Sequence, residues 1–315
     1  MIKAPDFSSR FSPDFKEYVA FMVGSGRVFR VESSILKAFD RYIQENSIIQ
    51  ITEEVVKKYV YSVNNLSTQQ YAKRHRVIQK FSEYLYLRER GECIRPLPTV
   101  RNSKRHIAYV YSDVEIAKLI FLSEKLPPSE SLRSATYSVL FGLLYSTGMR
   151  ISEAISLDIC DVDFNNEVIF IRNTKFRKSR IVPVHWSTIE KMKKYFETRN
   201  SLYPECSEKA FFLNNRKKRL CYSTVNATFL ELSRQLGLRN TNGQMPRIHD
   251  LRHTFAIRRV ANWYDEGVDI NSKLPLLATY MGHSHFEDTT YYLMAGAEIM
   301  ARGASRFQRE GETNG

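Results

Sequence analysis

The feature that most constrains the fold is a break in the helical pattern at residues 91–106. The segment GECIRPLPTVRNSKRH contains two prolines, a glycine and several basic residues, but no apolar periodicity. This composition is typical of an interdomain linker. A chain of 315 residues is also long enough for two domains. We therefore predict one domain over 1–105, with the linker starting near 91, a second domain over 106–302, and a polar tail over 303–315.

The first hundred residues have the spacing of amphipathic helices. In STQQYAKRHRVIQKFSEYLYLRER, apolar residues recur every three or four positions, and Ser67 or Thr68 could cap the start. The runs FSPDFKEYVAFMVGSG, ESSILKAFDRYIQEN and TEEVVKKYVYSVN precede it. We predict an all-α N-terminal domain. The polar face of its last helix carries Lys73, Arg74, Arg76 and Lys80, which suit either solvent or a DNA backbone.

The second domain combines helical and strand patterns. Ser112 and Glu115 have the spacing of a capping box, and the apolar run LRSATYSVLFGLLYST predicts a buried helix that ends at Gly148. The β-branched runs NEVIFIRNTK and SRIVPVH favour a hairpin, and KAFFLNN a short strand or a buried segment. From Ser223 the pattern is helical, with breaks at 237–247 and 265–274. We predict an α+β fold, mainly α with a small β-sheet or hairpin.

The charge of the chain favours a polyanionic partner. The net charge is +13, and residues 1–105 carry 19 Lys and Arg against 11 Asp and Glu, whereas 106–315 carry 28 against 23. Such a surplus favours phosphate contacts with counterion release, although an inert basic surface would have the same composition. No basic amphipathic helix with a clean apolar face indicates a membrane partner.

The cysteines indicate a reducing compartment. Cys93, Cys160, Cys206 and Cys221 show no CxxC spacing, so they predict neither a zinc site nor a disulfide framework. The N-terminal MIKAPDFSSRF has no apolar core of a signal peptide, and no run approaches the length of a membrane span. We expect a cytoplasmic protein.

Two segments of the second domain combine side chains that suit an anionic substrate. In TGMRISE, Arg150 and Glu153 share one helix face, where the carboxylate can hold the guanidinium, although a surface ion pair would look the same. In RIHDLRHTFA, His249 and Arg252 project side by side, one suited to proton exchange and one to phosphate oxygens. His253 forms an HxxxH pair with His249, but no third ligand for a metal is evident.

Two further segments add a histidine and a tyrosine. His283 in YMGHSH follows the end of an apolar helix, and DTTYYLMAG contains the adjacent Tyr291 and Tyr292. Adjacent helical residues point about 100° apart, so at most one of the tyrosines faces a shared cleft. A buried aromatic ring is the default interpretation for either of them.

In the order R…K…HxxR…GH…Y, the segments resemble the tyrosine recombinase (phage integrase) family over about 110–300, and the basic helical domain resembles its core-binding (SAM-like) domain. The resemblance implies that Arg150, Lys175, His249, Arg252, His283 and Tyr292 are catalytic and that Glu153 supports them. Lys178 lies in the same turn as Lys175 and could reach the cleft instead. The family's nine-residue offset from His283 selects Tyr292 over Tyr291. The spelling DTTYYL is more similar to integrases and transposon-borne recombinases that end in WYL.

The resemblance also implies the chemistry. Tyr292 would form a 3′-phosphotyrosyl link to double-stranded DNA, Lys175 would protonate the leaving 5′-oxygen, His249 would transfer a proton, and His283 would bind the phosphate. No ATP, metal or other cofactor and no small-molecule substrate are implied, and four subunits would act together. Integration, excision and transposition of a mobile element all remain open.

Two alternatives remain beside a recombinase. A type IB topoisomerase-like enzyme would use the same tyrosine chemistry to relax DNA, without synapsis of two sites. A DNA-binding accessory factor without catalysis is the other, although competent side chains at all six positions argue against it.

Overall fold

In the computed structural model, the described residues are 6–27, 29–96, 108–128, 131–172 and 179–282, together with Thr289 and Tyr292. The chain divides into two compact units, Met1–Arg105 and His106–Gly315. We call them the N-terminal unit and the C-terminal unit.

The described part of the N-terminal unit is helical, as predicted. Its helices are α1 (Ser12–Gly24), α2 (Arg30–Glu45), α3 (Glu53–Tyr61) and α4 (Thr68–Tyr86). Ser67 caps α4, because its hydroxyl accepts from the backbone of Gln70, whose side chain in turn accepts from the backbone of Ser67. The core between the helices is rich in aromatic rings, and Phe81 stacks on Phe15 at a centroid distance of 4.3 Å.

The C-terminal unit contains seven α-helices among its described residues. They are α5 (Asp113–Glu124), α6 (Arg133–Thr147), α7 (Ile151–Ser156), α8 (Trp186–Leu202), α9 (Tyr222–Gln235), α10 (Asp250–Asp265) and α11 (Ile270–Met281). Ser112 and Glu115 form the predicted capping box of α5. The apolar helix α6 supplies buried side chains to the main core, among them Leu140, Phe141 and Leu144.

A small antiparallel sheet lies between α7 and α8 in the sequence. Its strands β1 (Val162–Asp163), β2 (Val168–Ile171) and β3 (Arg180–Pro183) are hydrogen-bonded in chain order. The pairing of Ile169 with Val182 confirms the predicted hairpin, and both side chains are buried. β1 extends the hairpin to three strands. The predicted turn residues 173–178 lie outside the described residues.

The structure defines two segments more closely than the sequence does. Ala210–Leu213 in KAFFLNN is a buried segment rather than a strand, since it makes only an isolated bridge from Ala210 to Asp158 and another from Leu213 to Arg219. The predicted break at 265–274 is too long, because α11 already begins at Ile270. The side chain of Asp269 caps its first turn, and Pro275 sits inside the helix.

Helices α6 and α11 both end at a glycine in the left-handed region. Gly148 has φ of 61° and Gly282 has φ of 65°. A Cβ atom on Gly148 would lie 2.3 Å from Cδ1 of Phe255, so this position also needs the missing side chain for space. No helix in the described ranges is both long and apolar enough to cross a membrane.

We predict that Gly148→Ala destabilises the protein more than Gly237→Ala does. Both glycines have positive φ, but a Cβ on Gly237 meets nothing within 4 Å. The control should therefore cost about 1–2 kcal/mol from backbone strain alone, and Gly148→Ala a further ~1–3 kcal/mol from the clash with Phe255. Unfolding in urea measures both losses, and equal losses would contradict the proposed close packing at Gly148.

Candidate active site

Arg150 is the N-cap residue of α7, and its side chain is held from two sides. Its Nη1 donates to Oε1 of Glu153 at 3.0 Å, and its Nη2 donates to the carbonyl oxygen of Gly282 at 2.7 Å. Its backbone N–H also donates to Oε2 of Glu153 at 2.8 Å. Glu153 thus binds both the side chain and the backbone of Arg150.

Glu153 binds a second arginine, Arg180, which belongs to none of the predicted catalytic motifs. Arg180 donates from Nη1 and Nη2 to the two oxygens of Glu153 at 2.9 and 2.7 Å. Burial raises the pKa of Glu153, but the hydrogen bonds and charge of Arg180, with a smaller contribution from Arg150, outweigh it and leave the pKa below its usual value. The alternation of side chains along β3 indicates that Arg180 points inward, because Arg180 lies on the same face of the strand as the buried Val182.

Arg252 is 2% exposed and is held by the ends of two helices. Its Nη1 donates to the carbonyl oxygen of Gly148 at 2.8 Å, and its Nη2 donates to that of Met281 at 2.6 Å. Burial first, and then the charge of Arg150, lower the pKa of Arg252 to about 10. The guanidinium therefore remains protonated at neutral pH.

His249 is the residue before α10, and its ring is neutral at pH 7. Burial, followed by the charges of Arg252 and Arg247, lowers the pKa of His249 to about 4. The His249 ring lies edge-on to that of His253, with centroids 4.8 Å apart. The spacing in HDLRH thus brings the two imidazoles together on one side of the helix start.

Tyr292 is 1% exposed and packs with apolar side chains of α10 and α11, including Ile257, Leu277 and Met281. Its ring centroid lies 5.7 Å from that of His253. Tyr292 also interacts electrostatically with Arg252. Tyr292 and the residues of the HxxR motif therefore belong to one neighbourhood.

The remaining predicted catalytic residues lie outside the described residues. They are Lys175, with its neighbour Lys178, and His283, with the alternative nucleophile Tyr291. The structure thus brings Arg150, Glu153 and Arg252 together. The C-terminal end of α11 lies beside them, because the Gly282 carbonyl accepts from Arg150 and the Met281 carbonyl accepts from Arg252. For Lys175 and His283 the assignment stays a prediction from the sequence.

The predicted DNA-binding side chains of α4 do not share one environment. Lys73, Arg76 and Lys80 are exposed. Arg74 is instead packed against its own unit: its guanidinium lies 4.3 Å from the centroid of the Tyr59 ring and donates to the Tyr59 carbonyl oxygen at 3.3 Å. The helical period rotates Arg74 towards α3, so placing it with the three exposed side chains needs correction.

The electrostatics of the site suit an anionic substrate. Three arginines face a single carboxylate, which leaves the cluster positively charged. Within the described ranges, no group of three or more His, Cys, Asp or Glu side chains could hold a metal ion. The chemistry that this arrangement allows is stabilisation of negative charge by guanidinium groups.

Comparison with known proteins identifies the family. Residues 113–298 match the phage integrase family. The chain belongs to this family. An integrase/recombinase of Sinorhizobium fredii, y4rE, is 33% identical over 92% of this chain and 94% of its own length, and y4rB of the same organism is 34% identical over 96% and 99%. The chain is therefore a tyrosine-type site-specific recombinase that acts on DNA, as the motif order predicts.

Solved structures support the fold of this integrase. XerH recombinase bound to its palindromic difH substrate superposes with a TM-score of 0.61 at 21% identity, over 89% of this chain and 79% of XerH. The Tn1549 transposon integrase in complex with transposon right end DNA superposes with a TM-score of 0.61 at 15% identity, over 93% and 99%. Both likenesses show the α+β integrase fold that the sequence predicts.

We predict that titration of His249 destabilises the folded protein in acid. Unfolded histidine has a pKa near ~6.5, whereas folded His249 has a pKa of about 4. As the pH falls from about 6.5 to 4, the unfolded chain therefore binds a proton that the folded protein does not. The wild type should lose roughly 2–3 kcal/mol more stability than His249→Gln between pH 7 and 4.

Urea unfolding at several pH values measures this difference. His75, whose pKa is also lowered by burial, is present in both proteins, so its contribution cancels. If the free energy of unfolding changes with pH equally in the two proteins, the folded protein does not hold His249 neutral.

Proposed function

We propose that this recombinase cleaves DNA by attack of the Tyr292 hydroxyl on a phosphodiester. The observation that carries the proposal is the pair Arg150 and Arg252, both anchored by backbone carbonyls, beside a buried tyrosine. A bond forms between the Tyr292 oxygen and phosphorus while the bond to the 5′-oxygen breaks. The products are a 3′-phosphotyrosyl link and a free 5′-hydroxyl.

The two arginines supply the charge that this step needs. A phosphodiester carries one negative charge, and the pentacoordinate transition state carries a second on its nonbridging oxygens. The side chain of Arg150 is half-buried, with 30% of it accessible. Arg252 is fixed by two carbonyl oxygens, so little reorganisation is needed when the negative charge develops.

Two protons move in the step, one from Tyr292 and one to the 5′-oxygen. A tyrosine hydroxyl has an ordinary pKa near ~10 and needs a proton acceptor at pH 7. His249, neutral with a pKa of about 4, can accept a proton, and a nearby phosphate would make it a stronger base. By the family resemblance, we assign the proton for the 5′-oxygen to Lys175 and a phosphate hydrogen bond to His283.

The proposed partner is double-stranded DNA, held by several copies of the chain. We assign residues 1–105 as the core-binding domain, with a linker from about 91, residues 106–302 as the catalytic domain, and 303–315 as a polar tail. The exposed Lys73, Arg76 and Lys80 favour contact with a DNA backbone. The phosphotyrosyl link conserves the energy of the broken bond, so rejoining needs no ATP.

The proposed biological task is integration, excision or transposition of a mobile element by a tetramer. The motif DTTYYL and the structural likeness to a transposon integrase support this choice. The scattered cysteines support a cytoplasmic location. If the purified protein relaxes supercoiled DNA but never joins two sites, the proposed task is wrong.

We predict that Tyr292→Phe abolishes covalent attachment to DNA and keeps DNA binding. The probe is a set of nicked duplexes from the DNA that flanks the coding sequence, and the readout is an adduct that survives denaturation. Tyr291→Phe and Tyr280→Phe are matched controls, since Tyr280 packs against the same apolar cluster as Tyr292. Both controls should form the adduct. An adduct in Tyr292→Phe, or its loss in Tyr291→Phe, would assign the nucleophile elsewhere.

We predict that Arg150→Lys slows cleavage roughly 10²–10³-fold, because lysine lacks the planar fork that binds two phosphate oxygens. The affinity for DNA should change only a few-fold. Arg219→Lys is the control, because Arg219 donates to the carbonyl oxygens of Ile155 and Leu157 at the other end of α7. Single-turnover adduct formation measures both variants, and equal rates would remove Arg150 from the site.

A further inference from the structure

Arg180 takes no part in the mechanism above, although it is built into the same cluster. It is the first residue of β3, and only 12% of its side chain is exposed. The side chain of Glu153, to which both of its Nη atoms donate, is 8% exposed. An ion pair at this depth is weak evidence for a role in stability, because desolvation of the two charges offsets their attraction.

The hydrogen bonds of Glu153 are divided between the two arginines. Oε1 accepts from Nη1 of Arg150 at 3.0 Å and from Nη1 of Arg180 at 2.9 Å. Oε2 accepts from the Arg150 backbone at 2.8 Å and from Nη2 of Arg180 at 2.7 Å. These four bonds use the full acceptor capacity of a carboxylate. Arg150 therefore donates only one side-chain nitrogen to Glu153 and cannot close a fork on it.

The charges of the cluster depend on Arg180 in the same way. Arg150 and Glu153 alone would form a neutral pair, which attracts a phosphate weakly. With Arg180 the three side chains carry a net charge of +1, and the charge of Glu153 is balanced by a group that faces the protein interior. The positive charge of Arg150 then remains available to a substrate anion.

The guanidinium groups of Arg150 and Arg180 both lie close to Gly282, the residue before His283. A Cβ atom on Gly282 would lie 2.9 Å from Nη1 of Arg180 and 3.4 Å from Nη1 of Arg150. The Gly282 carbonyl oxygen also accepts the hydrogen bond from Arg150 Nη2. Arg180 therefore packs against the backbone that holds Arg150, in addition to the carboxylate that holds it.

We propose that Arg180 is a positioning residue for strand cleavage: it neutralises and occupies Glu153, so that Arg150 keeps its charge and its free donors for the scissile phosphate. The inference rests on the proposed function of Arg150. A purely structural ion pair would stabilise the fold without this effect. The two roles predict different cleavage rates for the variant in which Glu153 and Arg180 are both substituted.

The experiment compares single-turnover adduct formation by the full chain on the nicked duplexes described above, with DNA affinity and thermal unfolding measured in parallel. Arg180→Gln should slow the adduct on the order of tenfold to a hundredfold, less than the loss of a direct phosphate contact. Glu153→Gln with Arg180→Gln removes the carboxylate charge as well, so it should be roughly tenfold faster than Arg180→Gln. Arg180→Lys keeps the charge and should stay within about tenfold of the wild type.

Arg172→Gln is the matched control on the same hairpin, since it breaks the pair of Arg172 Nε with Asp161 Oδ1 at 2.6 Å. It should keep the wild-type rate. The proposal is overturned if Arg180→Gln keeps that rate, or if the double variant is no faster than Arg180→Gln. Arg180→Gln can be replaced in the comparison if it does not fold. The proposal is then supported when Arg180→Lys and the double variant both form the adduct within about tenfold of the wild-type rate. A larger fall in either rejects it.

The wild type and Tyr292→Phe, run alongside, separate this inference from the proposed function. If the wild type forms no adduct, or Tyr292→Phe forms one, the proposed function fails. If adduct formation depends on Tyr292 and the Arg180 variants behave like Arg172→Gln, only the role of Arg180 fails.

Discussion

The active site depends on the carbonyl oxygens at the ends of α6 and α11. The last carbonyls of a helix have no partner within it and form the negative end of its dipole. Here those of Gly148 and Met281 accept from Arg252, and that of Gly282 accepts from Arg150. Glycines in the left-handed region end both helices. Backbone dipoles thus hold two cations in place without neutralising them.

The properties of the neighbouring side chains follow from this concentration of positive charge. His249 is pushed to the neutral form by burial and by Arg252 and Arg247. Glu153 keeps its charge despite burial, because Arg180 and Arg150 bind it. Arg150, Arg180, Arg252 and Glu153 together carry +2, so a phosphodiester would balance one of these positive charges and its transition state the second. The cluster is therefore suited to bind an anion and to become more favourable as negative charge develops in it.

Sequence patterns predicted the parts that depend on neighbours in the chain. The cap of α4 at Ser67, one of two candidates, the capping box at Ser112 and the end of α6 at Gly148 are local, and they are confirmed. The pattern of α4 alone groups Arg74 with the exposed basic side chains, whereas its position depends on the ring of Tyr59 from another helix. Arg180 was missed for a related reason: its partner Glu153 is 27 positions away and belongs to another element.

The two-part organisation, the helices and the hairpin follow from periodicity, capping and spacing along the chain. The order of motifs indicates the family, and the resemblance to that family predicts Arg150, His249, Arg252 and Tyr292 as catalytic residues. Packing between distant segments instead directs the carbonyls of α6 and α11 at the arginines and lets Arg180 share Glu153. It also buries His249, which keeps the ring neutral. These properties depend on distances and desolvation between segments far apart in sequence, which no local pattern contains.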